Sequence, residues 1–222
     1  MKVIASLTTL PGREASCRKT VRTLLQQTPS ISQVRVMIPL TYMRLTQTYA
    51  PEAIQALEAM SPRVKVFRVP KDYGPGLKFF GFAKNGYTFV CDDDQHYHSK
   101  TLRRLLRKAR GKKKPCVIQN SSKKAIRGFR GILFSPKVLN GFQGFLDKVP
   151  KQTWEIDDDL MQVYLRRRNI PILNPAKAIA PRRRFKKTAP AHALGRGNRA
   201  RRLRQRRILK RFIRTKLRSV NE

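Results

Sequence analysis

The chain has 222 residues and sets 50 Lys and Arg against 13 Asp and Glu, a formal net charge of +37 at neutral pH. Apolar residues make up 40 %, ample for one sizeable core with or without a tail. No stretch approaches the roughly 20 apolar residues of a membrane-spanning helix, and so positive a field attracts polyanions of every kind without naming one.

In chain order, residues 3–7 are apolar enough for a buried strand. The opening resembles a signal peptide only superficially: Thr8-Thr9 breaks its short apolar run, and Pro11-Gly12-Arg13 ends it without a small-residue cleavage site. Helical spacing of Val21, Leu24 and Leu25 predicts a helix over residues 17–27. A second strand is expected at 34–38, and a helix at 51–60 with Pro51 in its first turn. Alternation at 64–69 predicts a third strand. After a loop at 71–76, residues 77–84 read as helical and 88–91 as a fourth strand. Ser99 or Thr101 is positioned to cap a helix running to Ala109. Gly111-Lys-Lys-Lys114 reads as a turn, 116–119 and 132–134 as strands, 157–168 as a helix, and 170–173 as a last strand. Strand and helix alternate through the first half, which argues for an α/β fold with a mostly parallel sheet.

Cys17, Cys91 and Cys116 lie too far apart for a zinc spacing or a disulfide ladder, so buried free thiols are expected. Residues 1–100 carry 14 basic and 7 acidic side chains, and residues 101–222 carry 36 and 6, so net charge rises from +7 to +30 between the two parts. From residue 181 the composition shifts to Arg, Lys, Ala and Gly, a loop through Gly197. Residues 198–220 then place Leu203, Ile208, Leu209, Phe212, Ile213 and Leu217 at helical intervals among arginines.

Against this background Asp92-Asp93-Asp94, directly behind an apolar strand, requires a reason. Three adjacent carboxylates repel one another and raise each other's pKa values. A hard divalent cation, Mg²⁺ or Mn²⁺, relieves that repulsion, and a solvated turn is the plainer alternative. His96 and His98 follow the trio and read as incidental at a helix entry; His192 is a further candidate ligand. A second acidic run, Asp157-Asp158-Asp159, opens a predicted helix, where the helix dipole alone explains one or two of its members. Ligands of open α/β sheets bind at the carboxyl ends of the strands, which is where residues 8–13, 72–78 and 92–94 fall. Arg13 and Lys78 are placed to converge there on substrate phosphates. One acidic group for metal and one for proton abstraction is a division of labour suited to group transfer.

Asp92–Asp94 resembles the DXD motif of GT-A-type glycosyltransferases, which use nucleotide-sugar donors. Ile4-Ala-Ser-Leu-Thr-Thr-Leu-Pro-Gly-Arg13 is similar to the opening of a small bacterial and large-DNA-virus group of such enzymes. Asp72-Tyr-Gly-Pro-Gly-Leu-Lys78 resembles that group's Asp-x-Gly-Pro-x-x-Lys loop. Residues 126–136 resemble its Gly-rich acceptor strand, residues 154–165 its late Asp-Asp helix, and residues 193–199 its closing segment. The resemblance implies a GT-A-like, single-domain fold over residues 1–180, with a nucleotide-binding half to about 110, an acceptor half at 111–180, and a basic loop and amphipathic helix at 181–222. It implies Thr8, Thr9 and Arg13 beside base and ribose, and Asp72, Lys78, Asp92 and Asp93 on the donor. Asp94, with Asp92, would hold Mn²⁺ or Mg²⁺, and Asp158, or Asp157, would serve as the base. By the same resemblance, the expected reaction moves a sugar from a nucleoside diphosphate, uridine being the base the group implies, to a glycan, protein or lipid-linked acceptor with inversion.

For the basic tail three roles stay open: core packing, an anionic membrane surface, and non-specific nucleic-acid contact. The expected location is cytoplasmic, or peripheral to a membrane. The competing function is a non-enzymatic, basic nucleic-acid- or envelope-associated protein on a decayed transferase fold. Retention of two acidic groups in so basic a chain favours the enzyme.

Overall fold

The computed structural model describes residues 2–43, 45–121, 125–174 and 199–216. Seven strands form one sheet in the order β3-β2-β1-β4-β6-β5-β7. They are β1 (Val3–Thr8), β2 (Gln33–Pro39), β3 (Val64–Val69), β4 (Tyr87–Val90), β5 (Val117–Gln119), β6 (Ile132–Phe134) and β7 (Ile172–Leu173). The first four are mutually parallel. β6 runs antiparallel to both β4 and β5, and β7 returns parallel to β5. The sheet is thus mostly parallel but mixed.

Side chains alternate across it because strand periodicity is two. Phe89 and Cys91 enter one core cluster while Val90 enters the other; Leu133 faces one way, Ile132 and Phe134 the opposite. The first cluster lies under α1 (Glu14–Leu25), α2 (Pro51–Glu58) and α3 (Thr101–Ala109), which contribute residues such as Cys17, Val21, Leu24, Leu57, Leu102 and Leu105. The second lies under α4 (Phe142–Lys148), α5 (Asp157–Arg167) and α6 (Arg199–Lys216), through Phe142, Leu146, Leu160, Met161 and Leu209. All three cysteines are buried and free, as expected.

Three local expectations need correction. Residues 74–79 form a 3₁₀ helix in place of a loop followed by a longer α-helix. Gly74 has φ +60, which an L residue avoids, and Pro75 fixes the next φ, so the turn tightens here. α4 was not anticipated: its start at the left-handed Gly141 and its internal Gly144 weaken the helical signal. The helix expected from residue 17 begins earlier, at Glu14, whose carboxylate accepts from Gly12 N at 2.9 Å. Residues 175–198 and 217–222, which include the basic loop and His192, lie outside the described residues.

Gly131, at the entry to β6, has φ +85, and an added Cβ would stand 2.7 Å from the Phe89 ring and 3.3 Å from the Tyr97 ring. Gly131→Ala therefore combines backbone strain with a clash against buried aromatics. It is expected to cost about 2–4 kcal/mol, read as a lowered urea midpoint at unchanged m-value.

Candidate active site

β1 and β4 pair through Ser6 and Val90, so the chain segments leaving their carboxyl ends are adjacent. The aspartate trio on the β4 side divides there. Asp93 and Asp94 turn inward and are buried. Thr9 Oγ1 donates to Asp93 Oδ2 at 2.7 Å, and the Arg13 guanidinium pairs with Asp93 Oδ1 and stands 3.4 Å from Asp94 Oδ2. Gln95 Nε2 donates to Asp94 Oδ1 at 2.6 Å. Burial pushes the Asp93 carboxyl up to about 6 even though Arg13 and Thr9 pull it down.

Asp92 faces the opposite way, with 31 % of its side chain exposed. Its N–H donates to the Tyr97 hydroxyl oxygen at 3.1 Å, and that hydroxyl donates to the Phe129 carbonyl at 3.2 Å. Asp92 Oδ1 lies 2.8 Å from Lys78 Nζ. The 3₁₀ helix delivers Lys78, and Ser6 Oγ anchors it by donating to the Lys78 carbonyl at 2.6 Å. On its far side the ammonium lies 2.7 Å from Asp157 Oδ2 at the start of α5. The ammonium therefore bridges Asp92 and Asp157 through two short ion pairs.

Asp158 completes the group. Its Oδ1 accepts from Gly128 N at 3.0 Å. Burial first, and the Asp157 charge second, push its carboxyl up to about 7, against the pull of Lys78 and the Gly128 N–H. Burial works against the Lys78 charge, but Asp157, Asp92 and Asp158 outweigh it and hold its pKa well above the ordinary lysine value. At Gly128 an added Cβ would stand 2.5 Å from Lys78 Nζ and 3.0 Å from Asp158 Oδ1, so a side chain there would displace the ammonium.

The sequence-predicted residues are therefore sorted into separate groups. Lys78, Asp92, Asp157 and Asp158 converge, while Thr9, Arg13, Asp93 and Asp94 form a buried network behind them. Thr8 Oγ1 donates to the Met37 carbonyl at 2.7 Å, a contact to β2. Asp72 accepts from Met43 N at 2.9 Å and Gly74 N at 2.7 Å, which orders the two loops. Asp159 faces α6, where Arg206 Nε lies 2.9 Å from its Oδ2. His98 Nδ1 accepts from Lys100 N at 3.1 Å, in keeping with a helix-entry role. Trp154 is buried and donates Nε1–H to the Leu146 carbonyl at 3.2 Å. Gln95, Tyr97 and Gly128 escaped the sequence reading as site residues. Gln95 and Tyr97 had only their closeness to the trio as a signal, and Gly128 only its place in a Gly-rich segment.

Among the described residues no group of three His, Cys, Asp or Glu side chains is arranged as a metal centre. The chemistry of the donor set nevertheless fits a hard cation. Magnesium-like ions take one or two carboxylates and fill the remaining positions with phosphate and water. Asp92 is the accessible carboxylate, with 31 % of its side chain exposed and one oxygen, Oδ1, on Lys78.

No family model matches the chain, and no curated protein matches it by sequence. Solved structures do. A mannosyltransferase from Pyrobaculum calidifontis, in complex with GDP-Man and Mn²⁺, superposes with a TM-score of 0.57 at 11 % identity, over 96 % of this chain and 75 % of its own. Glucosyl-3-phosphoglycerate synthase from Mycobacterium tuberculosis, with Mn²⁺, UDP-glucose and phosphoglyceric acid, gives 0.52 at 13 %, over 92 % and 79 %. A 4-diphosphocytidyl-2C-methyl-D-erythritol synthase from Anaerococcus prevotii gives 0.51 at 8 %, over 87 % and 95 %. At these identities the likeness establishes the fold, which is the GT-A-like nucleotide-diphospho-sugar transferase fold.

Removing the Lys78 charge leaves Asp92, Asp157 and Asp158 facing one another in a buried setting. Lys78→Met is expected to destabilise the protein by about 3–5 kcal/mol at pH 8. The loss should shrink at pH 5, where the Asp158 carboxyl, raised to about 7, is already neutral. Urea unfolding at the two pH values measures it; an equal loss at both contradicts the electrostatic account.

Proposed function

We propose that the protein is a metal-dependent glycosyltransferase, moving a sugar from a nucleoside diphosphate, of which uridine diphosphate is our choice, to an acceptor hydroxyl. The observation that carries this reading is the convergence of Asp92, Lys78, Asp157 and Asp158 at the carboxyl edge of the parallel strands, where ligands of such sheets bind. The related folds bound to GDP-Man or UDP-glucose with Mn²⁺ support it.

In this reading residues 1–110 hold the nucleotide and residues 111–180 the acceptor. Asp92 would hold Mn²⁺ or Mg²⁺, while Asp94, which the resemblance makes a ligand, is buried on Gln95 and Arg13 and would support the strand end from behind. When bound, the ion neutralises charge developing on the leaving diphosphate. Arg13 orders Asp93 and Asp94, and Thr9 holds Asp93. Asp72 shapes the loop that carries Lys78. Lys78 fixes the distance between the donor-side and acceptor-side carboxylates and offers positive charge beside the diphosphate.

Asp158 is the base. A carboxyl raised to about 7 accepts a proton more readily than an ordinary carboxylate and is still ionised in useful fraction at neutral pH. It removes the hydroxyl proton as the acceptor oxygen bonds to the anomeric carbon and the bond to diphosphate breaks. Direct displacement of this kind inverts the anomeric centre. Asp157 is the weaker choice because Lys78 already neutralises it.

Transfer should rise with pH through about 7, since only ionised Asp158 serves as base. Asp158→Asn is expected to lower kcat by roughly 10²–10⁴. The same change should raise Tm at pH 8, because it removes a buried carboxylate that the fold disfavours; Asn Oδ1 still accepts from Gly128 N. Retention of anomeric configuration, read by NMR of the product, would remove Asp158 from this role.

Asp92→Asn should abolish the Mn²⁺-dependent thermal stabilisation by nucleoside diphosphate. Thermal-shift measurements with UDP and GDP, with and without Mn²⁺, test the assignment; stabilisation equal to wild type overturns it.

A further inference from the structure

α6 is locked against the part of the chain that carries the proposed base. Gln205 and Leu209 are buried, and Phe212 and Ile213 pack on the second core cluster. Arg201 pairs with Glu155, and Arg206 Nε lies 2.9 Å from Asp159 Oδ2. Glu155 and Asp159 bracket Asp157 and Asp158 in sequence, so the helix lies beside the acceptor side of the site.

The opposite face of α6 is basic, with one exposed apolar residue, Leu203, at its start. Arg207, Lys210, Arg211 and Arg214 follow one another at i, i+3, i+4 and i+7, all exposed. α6 contains no acidic residue, and none of these four has an acidic partner among the described residues. They extend over about 10 Å of helix, a row and not a pocket, which suits a chain of charges better than a lone phosphate.

Three partners have the necessary charge, and the packing separates them. Membrane insertion needs the apolar stripe of an amphipathic helix, and here Leu209, Phe212 and Ile213 are turned to the core, which leaves Leu203 as the exposed large apolar side chain of the helix. Single-stranded nucleic acid is held by aromatic platforms as well as cations, and the only aromatic residue of the helix, Phe212, packs inward. An anionic polymer next to the base-bearing helix remains.

We infer that the outer face of α6 docks the acceptor, and that this acceptor is an anionic glycan with repeated carboxylate or phosphate groups. The inference rests on the transferase reading and names the substrate class of that same site. The glycan lies along Arg207, Lys210, Arg211 and Arg214, and its accepting hydroxyl reaches Asp158 across the Asp159–Arg206 contact.

The test compares wild type with the quadruple variant Arg207→Gln, Lys210→Gln, Arg211→Gln, Arg214→Gln, which leaves the inward face of α6 intact. Binding of a uronic-acid hexasaccharide, of neutral maltohexaose, of duplex DNA, of phosphatidylglycerol vesicles, and of UDP and GDP with Mn²⁺ is measured by calorimetry at low and physiological salt. The expected result is hexauronate binding that falls at least about tenfold in the variant and weakens with salt. Maltohexaose should bind poorly to both proteins, and nucleotide binding and Tm should stay unchanged. Equal hexauronate binding by both proteins, or maltohexaose binding as tight as hexauronate, overturns the inference. So does a loss in the variant confined to duplex DNA or phosphatidylglycerol vesicles, which would make the face a nucleic-acid or membrane surface. Absence of metal-dependent nucleotide binding in both proteins, with hexauronate binding intact in wild type, instead removes the transferase reading, and the acceptor assignment falls with it.

Discussion

A single buried ammonium, Lys78 Nζ, between Asp92 and Asp157 ties the functional edge of this molecule together. The three residues come from a 3₁₀ helix, a strand end and a helix start, the last of them far from the other two in the chain. Each is costly to bury alone. Together with Asp158 they set three carboxylates against one cation, so the cluster stays net negative inside a protein that is +37 overall. That sign inversion is informative. A net-negative recess draws a metal cation, and the positive surroundings draw the anions that such a cation bridges. Gly128 makes the arrangement sterically possible, and its N–H adds a fixed dipole on Asp158.

The aspartate trio shows how neighbouring residues of one type acquire different work. Asp93 and Asp94 already have counter-charge or hydrogen-bond donors in Arg13, Thr9 and Gln95. Asp92 alone turns to the opening and shares the ammonium with Asp157. The buried pair therefore stiffens the strand end, and the outward residue is the one left open to solvent. Tyr97 contributes to this stiffness by holding both the Asp92 N–H and the Phe129 carbonyl, which links the trio to the Gly-rich turn before β6.

Strands were readable because β-branched and apolar runs between turn residues have no competing interpretation: 64–69 and 132–134 coincide with β3 and β6. The direction of β6 was not readable, since antiparallel pairing with β4 is decided by neighbours and not by local pattern. α4 and the 3₁₀ helix of residues 74–79 were obscured by glycines at their starts or centres. In the site, the charged residues were visible because carboxylates are rare in this chain. Which of them meet was not visible, because Lys78–Asp157 and Gly128–Asp158 contacts depend on how the sheet and α5 pack. The same holds for the tail. Its apolar spacing revealed a helix, but only packing shows that the Leu209 side faces the core and the arginines face out.

The fold alone does not choose a reaction, since similar architectures include a mannosyltransferase and a diphosphocytidyl-methylerythritol synthase. The second acidic group is what supports the proposed reading. In nucleotidyl transfer to a phosphate, the attacking oxygen is already anionic and needs no base. A sugar hydroxyl is neutral and must lose its proton as it attacks, so a carboxylate with raised proton affinity next to it lowers the barrier. Asp158 has that property because it is buried beside Asp157, yet Lys78 and the Gly128 N–H keep it from being neutral at all ordinary pH. Such a group would contribute little to phosphate attack and would repel the incoming anion. For that reason the proposed reaction is transfer of a sugar to a hydroxyl and not of a nucleotidyl group to a phosphate.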